Sequence, residues 1–497
     1  MFKNHPKGLI PAALANMGER FGFYVMMAIL TLFLMSKFDL DGSEAGTYYS
    51  IFYCSIYILA LVGGLIADKT KNYKGTIIAG LLVMSLGYAL LAIPALITTE
   101  FIALGALLVI ALGNGLFKGN LQAVVGQLYD NPKYSSFRDA GFQIFYMFIN
   151  IGGCVAPFIA IWVRNTFVKM QGFAYNAELP GMCHKLLNGE LADTTEFAKI
   201  ATSVSDGVTP TDLTAFATNY LEAFNTGFHY AFSVAIVAMM ISLVIFLISK
   251  KSLPNPAAKT KTNSTVSKEE IKQSATEIKQ RILALFAVFG IVIFFWFSFH
   301  QNGLTLTMFA KDYTLLKLGD MELSAEIFQS VNPFIVVFLT PVVMWIFGAL
   351  AKRGKEPSTP KKIGIGMGIA ALAYVVIAVA SIGLPEYSTI ENAPLNESLK
   401  VTPWVLFGVY FILTVAELFI SPLGLSFVSK VAPAHLQGLM QGCWLGATAV
   451  GNAALVLGAV MYENISLVTT WSVFAIVCFI SMTVMFCMVK WLERVAK

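Results

Sequence analysis

The sequence predicts an all-α membrane protein, with twelve transmembrane helices arranged as two six-helix bundles. Three observations carry that prediction. First, 57% of the 497 residues are hydrophobic, only 13% are charged, and mean hydropathy is +0.71. Such a chain is too apolar for a soluble protein and long enough for about a dozen helices of roughly 20 residues. Second, apolar stretches of membrane length recur at 8–36, 44–67, 75–97, 101–129, 138–165, 226–250, 281–309, 325–351, 361–384, 402–429, 434–461 and 467–492. Third, the loops between them alternate in charge. Lys69, Lys71 and Lys74 follow the second span, Lys133 and Arg138 the fourth, and Lys352, Arg353, Lys355, Lys361 and Lys362 the eighth. The opposite loops carry Asp39, Asp41 and Glu44, then Asp312, Asp320, Glu322 and Glu326, then Glu386, Glu391 and Glu397. Positive loops stay on the cytoplasmic side, so both termini are expected inside an inner (plasma) membrane that the chain crosses many times.

The net charge of +5 is therefore a matter of loops. The expected surroundings are a lipid bilayer, with no nucleic acid partner. Six cysteines are scattered, five in apolar spans and Cys183 alone in a polar loop, and no Cys or His pair has ligand spacing. No metal and no cofactor is expected. The opening residues 1–7 lead into a stretch longer than a signal-peptide core and without a small-residue cleavage site, so it is read as the first helix.

That first span holds an acid and a guanidinium, Glu19 and Arg20, among Ile, Ala, Leu, Met, Val and Phe. Each charge would cost about 2.5–3.5 kcal/mol against lipid, so both must face protein or a watery cavity. Asn16, Arg20, Phe23 and Met27 share one helical stripe, with Glu19 and Tyr24 at its margins. The second span contributes Tyr57. The fourth places Lys118 among Gly113, Gly115 and Gly119, small residues that permit close helix approach. The fifth carries Asn150. The connection 166–225 is acidic, contains Pro180 and Pro210, and is assigned no chemistry.

After the sixth span, residues 251–280 are rich in Lys, Ser, Thr and Glu and read as a cytoplasmic linker. It divides an N-terminal bundle, 1–250, from a C-terminal one, 281–497. Gly64–Lys69 after the second span is echoed by Gly348–Arg353 after the eighth, as expected of two related halves rocking about a central site. The second half supplies Trp296 and His300 in the seventh span, Asn332 in the eighth, Glu417 and Ser421 in the tenth, and Trp444 in the eleventh. Lys118 and Glu417 thus stand on opposite halves, a polarity that suits a zwitterion. A purely structural role stays open for Lys118, as a partner of Glu19.

In these residues the chain resembles the proton-coupled oligopeptide transporters of the major facilitator superfamily. The family's first-helix motif, Glu-x-x-Glu-Arg-Phe-x-Tyr-Tyr, is met by Glu19, Arg20, Phe21 and Tyr24, with Asn16 for its first Glu and Phe23 for its first Tyr. The fourth-span signature is carried by Lys118, Asn120, Gly126 and Gln127, with Gly119 where the family usually has Pro. Phe145, Tyr146, Ile149, Asn150 and Gly152 match the fifth span, Ser330, Asn332 and Pro333 the eighth, and Glu417, Ser421, Pro422, Gly424, Leu425 and Ser426 the tenth.

The resemblance implies a secondary active importer of di- and tripeptides, not an enzyme, so no catalytic residue is expected. It implies that Arg20 and Lys118 hold the peptide carboxylate and that Asn150, Asn332 and Glu417 hold its amino end. Ser421 belongs to the same site, and Tyr24, Tyr57, Trp296 and Trp444 line its side-chain pockets. Protons would be the coupling partner. His300 and Met27 stand where the family often has an acid and an arginine, so the titratable candidates are Glu19, Glu417 and His300. The alternative is a related carrier for another small zwitterion or anion, with weak or altered proton coupling; a receptor or channel on the same scaffold is a third class.

Overall fold

A computed structural model describes residues 3–40, 42–176, 179–191, 193–254, 268–318, 321–322, 327–390 and 395–496. Asp41, Glu178, Asp320, Glu326 and Glu391, most of the linker (255–267) and the side chain of Ser330 lie outside the described residues. Twelve helices are long and apolar enough to cross a membrane: Leu9–Phe38, Glu44–Thr70, Tyr73–Ala92, Glu100–Leu128, Ser135–Met170, Leu213–Ser252, Ala275–Tyr313, Val331–Lys352, Thr359–Ala380, Pro403–Val431, Gln437–Asn464 and Leu467–Val495. These are the first to twelfth spans below. They coincide with the twelve apolar stretches of the sequence, and the protein is a multi-pass membrane protein.

Three boundaries differ from the hydropathy reading. The sixth span begins at Leu213, where Asp212 accepts bonds from the Thr214 and Ala215 amides (2.9 and 3.0 Å) and caps the helix. Asn219, Glu222 and Asn225 lower the apparent hydropathy of its first turns. The helix of the seventh span starts at Lys268, inside the expected linker. The acidic connection after the fifth span is folded. Its helices Leu179–Leu187 and Thr195–Val204 bury Leu179, Cys183 and Phe197. Arg164 lies over the Tyr175 ring at 3.8 Å, and His184 Nε2 bonds the Ser36 carbonyl at 2.8 Å, fastening this cap to the first half.

The packing of the first six spans repeats in the last six, which are called the first and second half below. In the first half the first span packs on the fifth and sixth, the second on the fourth, and the third on the fourth and sixth. Adding six to every ordinal gives the main pairings of the second half: seventh with eleventh and twelfth, eighth with tenth, ninth with tenth and twelfth. Between halves, the second span packs on the eleventh and the fifth on the eighth, again one relation applied twice. A ribbon pairing Lys317–Leu318 with Met321–Glu322 is the sole two-stranded sheet among the described residues.

The lysine-rich ends of the halves are fastened together. Asp68 accepts from the Gly438 and Leu439 amides (3.1 and 2.9 Å) at the start of the eleventh span and from the Tyr73 hydroxyl. A Cβ on Gly64 would lie 2.5 Å from the Gly438 backbone, so only glycine permits this approach. Asp139 of the fifth span receives Ser426 Oγ at 2.6 Å, Thr359 Oγ1 at 3.0 Å and Lys362 Nζ at 2.9 Å, all from the second half. Arg138 donates to Ser429 Oγ at 2.5 Å while also holding Asp130 at 2.8 Å.

The first, second and fourth spans are continuous helices, but three spans of the second half are interrupted. The seventh turns from α-helix to a short 3₁₀ stretch at His300–Gly303, the tenth breaks between Leu418 and Ser421, and the eleventh between Ala453 and Val456. Pro422 explains the tenth, since it has no N–H and its ring crowds the Leu418 carbonyl one turn back. Broken helices in membrane carriers free backbone groups only where they line a cavity, and these three breaks lie beside His300, Glu417 and Asn452.

Candidate functional site

Glu19 and Arg20 are 0% and 4% exposed and are each other's partner. Arg20 Nε bonds Glu19 Oε2 at 2.6 Å and Arg20 Nη2 bonds Oε1 at 2.5 Å, a two-pronged ion pair between sequence neighbours. Asn114 of the fourth span adds a third donor to Oε1 at 2.8 Å. The ion-pair partner of Glu19 is thus Arg20, not Lys118. That ammonium, one turn beyond Asn114, has no ion-pair partner among the described residues and faces a cavity.

Two adjoining chambers of about 320 and 170 Å³ share Arg20, Tyr24, Tyr53, Tyr57 and Lys118 as common wall, and together they reach the scale of small-molecule sites. The larger lies within the first half, where Met27, Tyr49, Ile56 and Pro157 complete it. The smaller lies between halves, and from the second half Trp296, His300, Glu417, Ser421, Trp444 and Thr448 close it. Tyr49, Tyr53 and Tyr57 form an aromatic ladder along one face of the second span, with Tyr49 and Tyr53 stacked at 5.9 Å and the Tyr57 hydroxyl donating to Tyr53 at 3.2 Å.

Glu417 is the acid that reaches this space. Tyr146 of the fifth span donates to its Oε1 at 2.5 Å across the interface between halves, and Asn332 Nδ2 donates to its Oε2 at 2.7 Å. Asn332 itself also bonds Thr414, at 3.0 Å, and is thereby fixed. On the same wall the His300 ring stacks on Trp296 at 4.8 Å, with its Nδ1 2.5 Å from Asn452 Oδ1. Gly424 leaves the room that the Trp444 ring fills; any Cβ there would collide with it.

Nine predicted residues, Arg20, Tyr24, Tyr57, Lys118, Trp296, His300, Glu417, Ser421 and Trp444, therefore share one site. Two do not line it. Asn332 stands behind Glu417, and Asn150 spends its amide on the Tyr146 carbonyl of its own helix at 3.0 Å. Glu19 lies behind Arg20. Residues that sequence reasoning missed are Tyr53, Gln122, Tyr146 and Thr448 in the wall, and Asn114 and Asn452 behind it. The spacing of Tyr49, Tyr53 and Tyr57 at four-residue intervals was the available signal for the ladder.

Residues 74–272 and 257–473 match the family profile described as PTR2: POT family. The chain belongs to the POT family. Its relatives include the peptide transporter YePEPT of Yersinia enterocolitica subsp. palearctica serotype O:3, 29% identical, with 94% of this chain and 91% of that protein covered. Dipeptide and tripeptide permease B of Aliivibrio fischeri is 26% identical, with 89% and 83% covered. A solved structure, the peptide transporter POT in complex with sulfate, superposes with a TM-score of 0.60 at 24% identity, covering 100% of this chain and 96% of that one. That likeness shows the shared fold. POT family members are transporters, not enzymes, and this chain is one of them.

Proposed function

We propose that this POT family protein imports di- and tripeptides by alternating access, driven by protons, across an inner (plasma) membrane with both termini cytoplasmic. The supporting observation is the chamber between the halves, which places unpaired Lys118 on one wall and Glu417 on the other. A peptide zwitterion offers a carboxylate to Lys118 and the remaining edge of Arg20, and an ammonium to Glu417. Asn332 and Tyr146 hold Glu417 in place, and the tyrosine ladder with Trp296 and Trp444 receives side chains of varied shape. The relatives named as a peptide transporter and a dipeptide and tripeptide permease support the same substrate class.

In this reading residues 1–250 and 281–497 rock against each other, joined by the linker 251–280. Glu417 is the proton carrier, because it meets the chamber while Glu19 is enclosed by Arg20 and Asn114. The test is uptake of a labelled dipeptide into proteoliposomes with and without an imposed proton gradient. Accumulation that needs the gradient is expected. Accumulation of another small zwitterion or anion, with none of dipeptide, would overturn the substrate class.

A further inference from the structure

We infer that Asn452 is a positioning residue that presents His300 Nε2 as a second hydrogen-bond acceptor for the substrate's amino end. This rests on the peptide reading above. The first observation is the 2.5 Å contact between His300 Nδ1 and Asn452 Oδ1. An amide oxygen only accepts, so the proton sits on Nδ1, and in the neutral ring Nε2 carries a bare lone pair. The partner is a neutral amide, and no carboxylate among the described residues bonds the ring: the hydrogen bonds of Glu417 go to Tyr146 and Asn332.

The second observation is that the ring is held on two sides and open on one. Trp296 stacks on its face at 4.8 Å with the planes 15° apart, and Asn452 fixes its rotation about that face. Nε2 has no protein partner and is not sealed off, and His300 is part of the chamber wall. Both ends of the Asn452–His300 contact lie at the helix breaks described above, at His300–Gly303 and next to Ala453–Val456.

The third step is a count of donors and acceptors. A peptide ammonium brings three N–H donors, and leaving one unpaired in a desolvated site is costly. Each oxygen of Glu417 already accepts one bond from protein. The charged groups of the first half, Lys118 and Arg20, only donate; the acceptors around the chamber are Glu417, the His300 imidazole, the Gln122 amide oxygen and the weakly basic hydroxyls of Ser421, Thr448 and the tyrosines. Among the neutral acceptors an imidazole nitrogen is the most basic, and His300 shares the second-half wall with Glu417, so its Nε2 is the preferred acceptor for a further ammonium proton, and the pair makes the site selective for a free amino terminus.

The test compares binding of dialanine and N-acetyl-dialanine to purified protein, read by the fluorescence of the chamber tryptophans. Asn452→Leu should weaken dialanine by about tenfold, the scale of one hydrogen bond to a charged group, and leave N-acetyl-dialanine unchanged. In a His300→Leu background the same Asn452→Leu change should add nothing. Equal weakening of both ligands, or an undiminished effect in the His300→Leu background, would overturn the inference. A second measurement does not depend on the substrate: ¹⁵N spectra of the five histidines, with His300 assigned by its loss in His300→Gln. A ring protonated on Nδ1 alone supports the inference, and one protonated on Nε2 overturns it. Wild-type protein that binds neither ligand would overturn the peptide reading, while the spectra would still decide the role of Asn452.

Discussion

Removing the Lys362 ammonium should open the lysine-rich end. The Lys362 side chain is 2% exposed and bonds Asp139 across the interface at 2.9 Å and Glu356 within its own half at 2.6 Å. Only the first contact is broken when the halves separate, so Lys362→Met removes a bond specific to the closed arrangement. A fully buried ion pair left with one partner costs about 3–5 kcal/mol. Asp139 is 21% exposed and keeps the Ser426 and Thr359 hydroxyls, and water at the partly open acid screens the loss. The expected shift is about 1–2 kcal/mol toward the open end, roughly a five- to thirtyfold change in the ratio of states. The change in sign is unambiguous, because in the closed state the substitution also leaves Asp139 short of a counter-charge. Spin labels at Lys133→Cys and Lys355→Cys, in a background cleared of the six native cysteines, would read the separation by double electron–electron resonance. A double-mutant cycle with Asp139→Asn isolates the pair. An unchanged distance distribution, or a coupling energy near zero, would refute the latch.

Three further outcomes are expected. Lys118→Ala and Glu417→Ala should each abolish concentrative uptake of dipeptide while the protein remains in the membrane, since each leaves the opposite wall's charge without its counterpart; normal uptake by either would remove that residue from the site. Arg20→Lys should lower uptake at least about tenfold, because a single ammonium cannot reproduce the two parallel bonds to Glu19, and a wild-type Michaelis constant would show that the fork is dispensable. Gly424→Ala should drive the Trp444 ring from its seat and weaken dipeptide binding about tenfold without loss of folded protein; an unchanged affinity would mean that Trp444 does not shape the pocket.

The fold was legible because burial in lipid leaves a coarse signal. A stretch of roughly 20 apolar residues has few alternatives, and all twelve spans appeared in the sequence. What escaped were elements below that length. Leu179–Leu187 and Thr195–Val204 are helices of 9 and 10 residues with polar outer faces, and no membrane-length window registers them. The interruptions at His300 and at Ala453 also escaped, since neither has a proline to announce it; only Pro422 marks a break in the chain itself.

Charge made the centre of the site legible and concealed its pairing. Arg20, Lys118 and Glu417 stand out because an ion in an apolar span must be accounted for. Neutral polar residues such as Gln122, Thr448 and Asn452 cost little in a helix that can satisfy them, so they do not stand out. Which charge pairs with which is a matter of rotamers. Residues adjacent in sequence normally point to different faces of a helix, so nothing in the spacing foretold the two bonds between Glu19 and Arg20. That pairing decides how the chamber works. Glu19 and Arg20 cancel each other inside one half, so the uncompensated charges that the halves show each other are Lys118 and Glu417. On the proposed reading, a zwitterion bound between them neutralises both at once, whereas closing the halves on an empty chamber would leave Lys118 desolvated and alone. A proton on Glu417 removes the acid's charge but not that of the lysine. The proton and the peptide carboxylate must therefore act on opposite walls, which ties movement of the halves to occupancy of both.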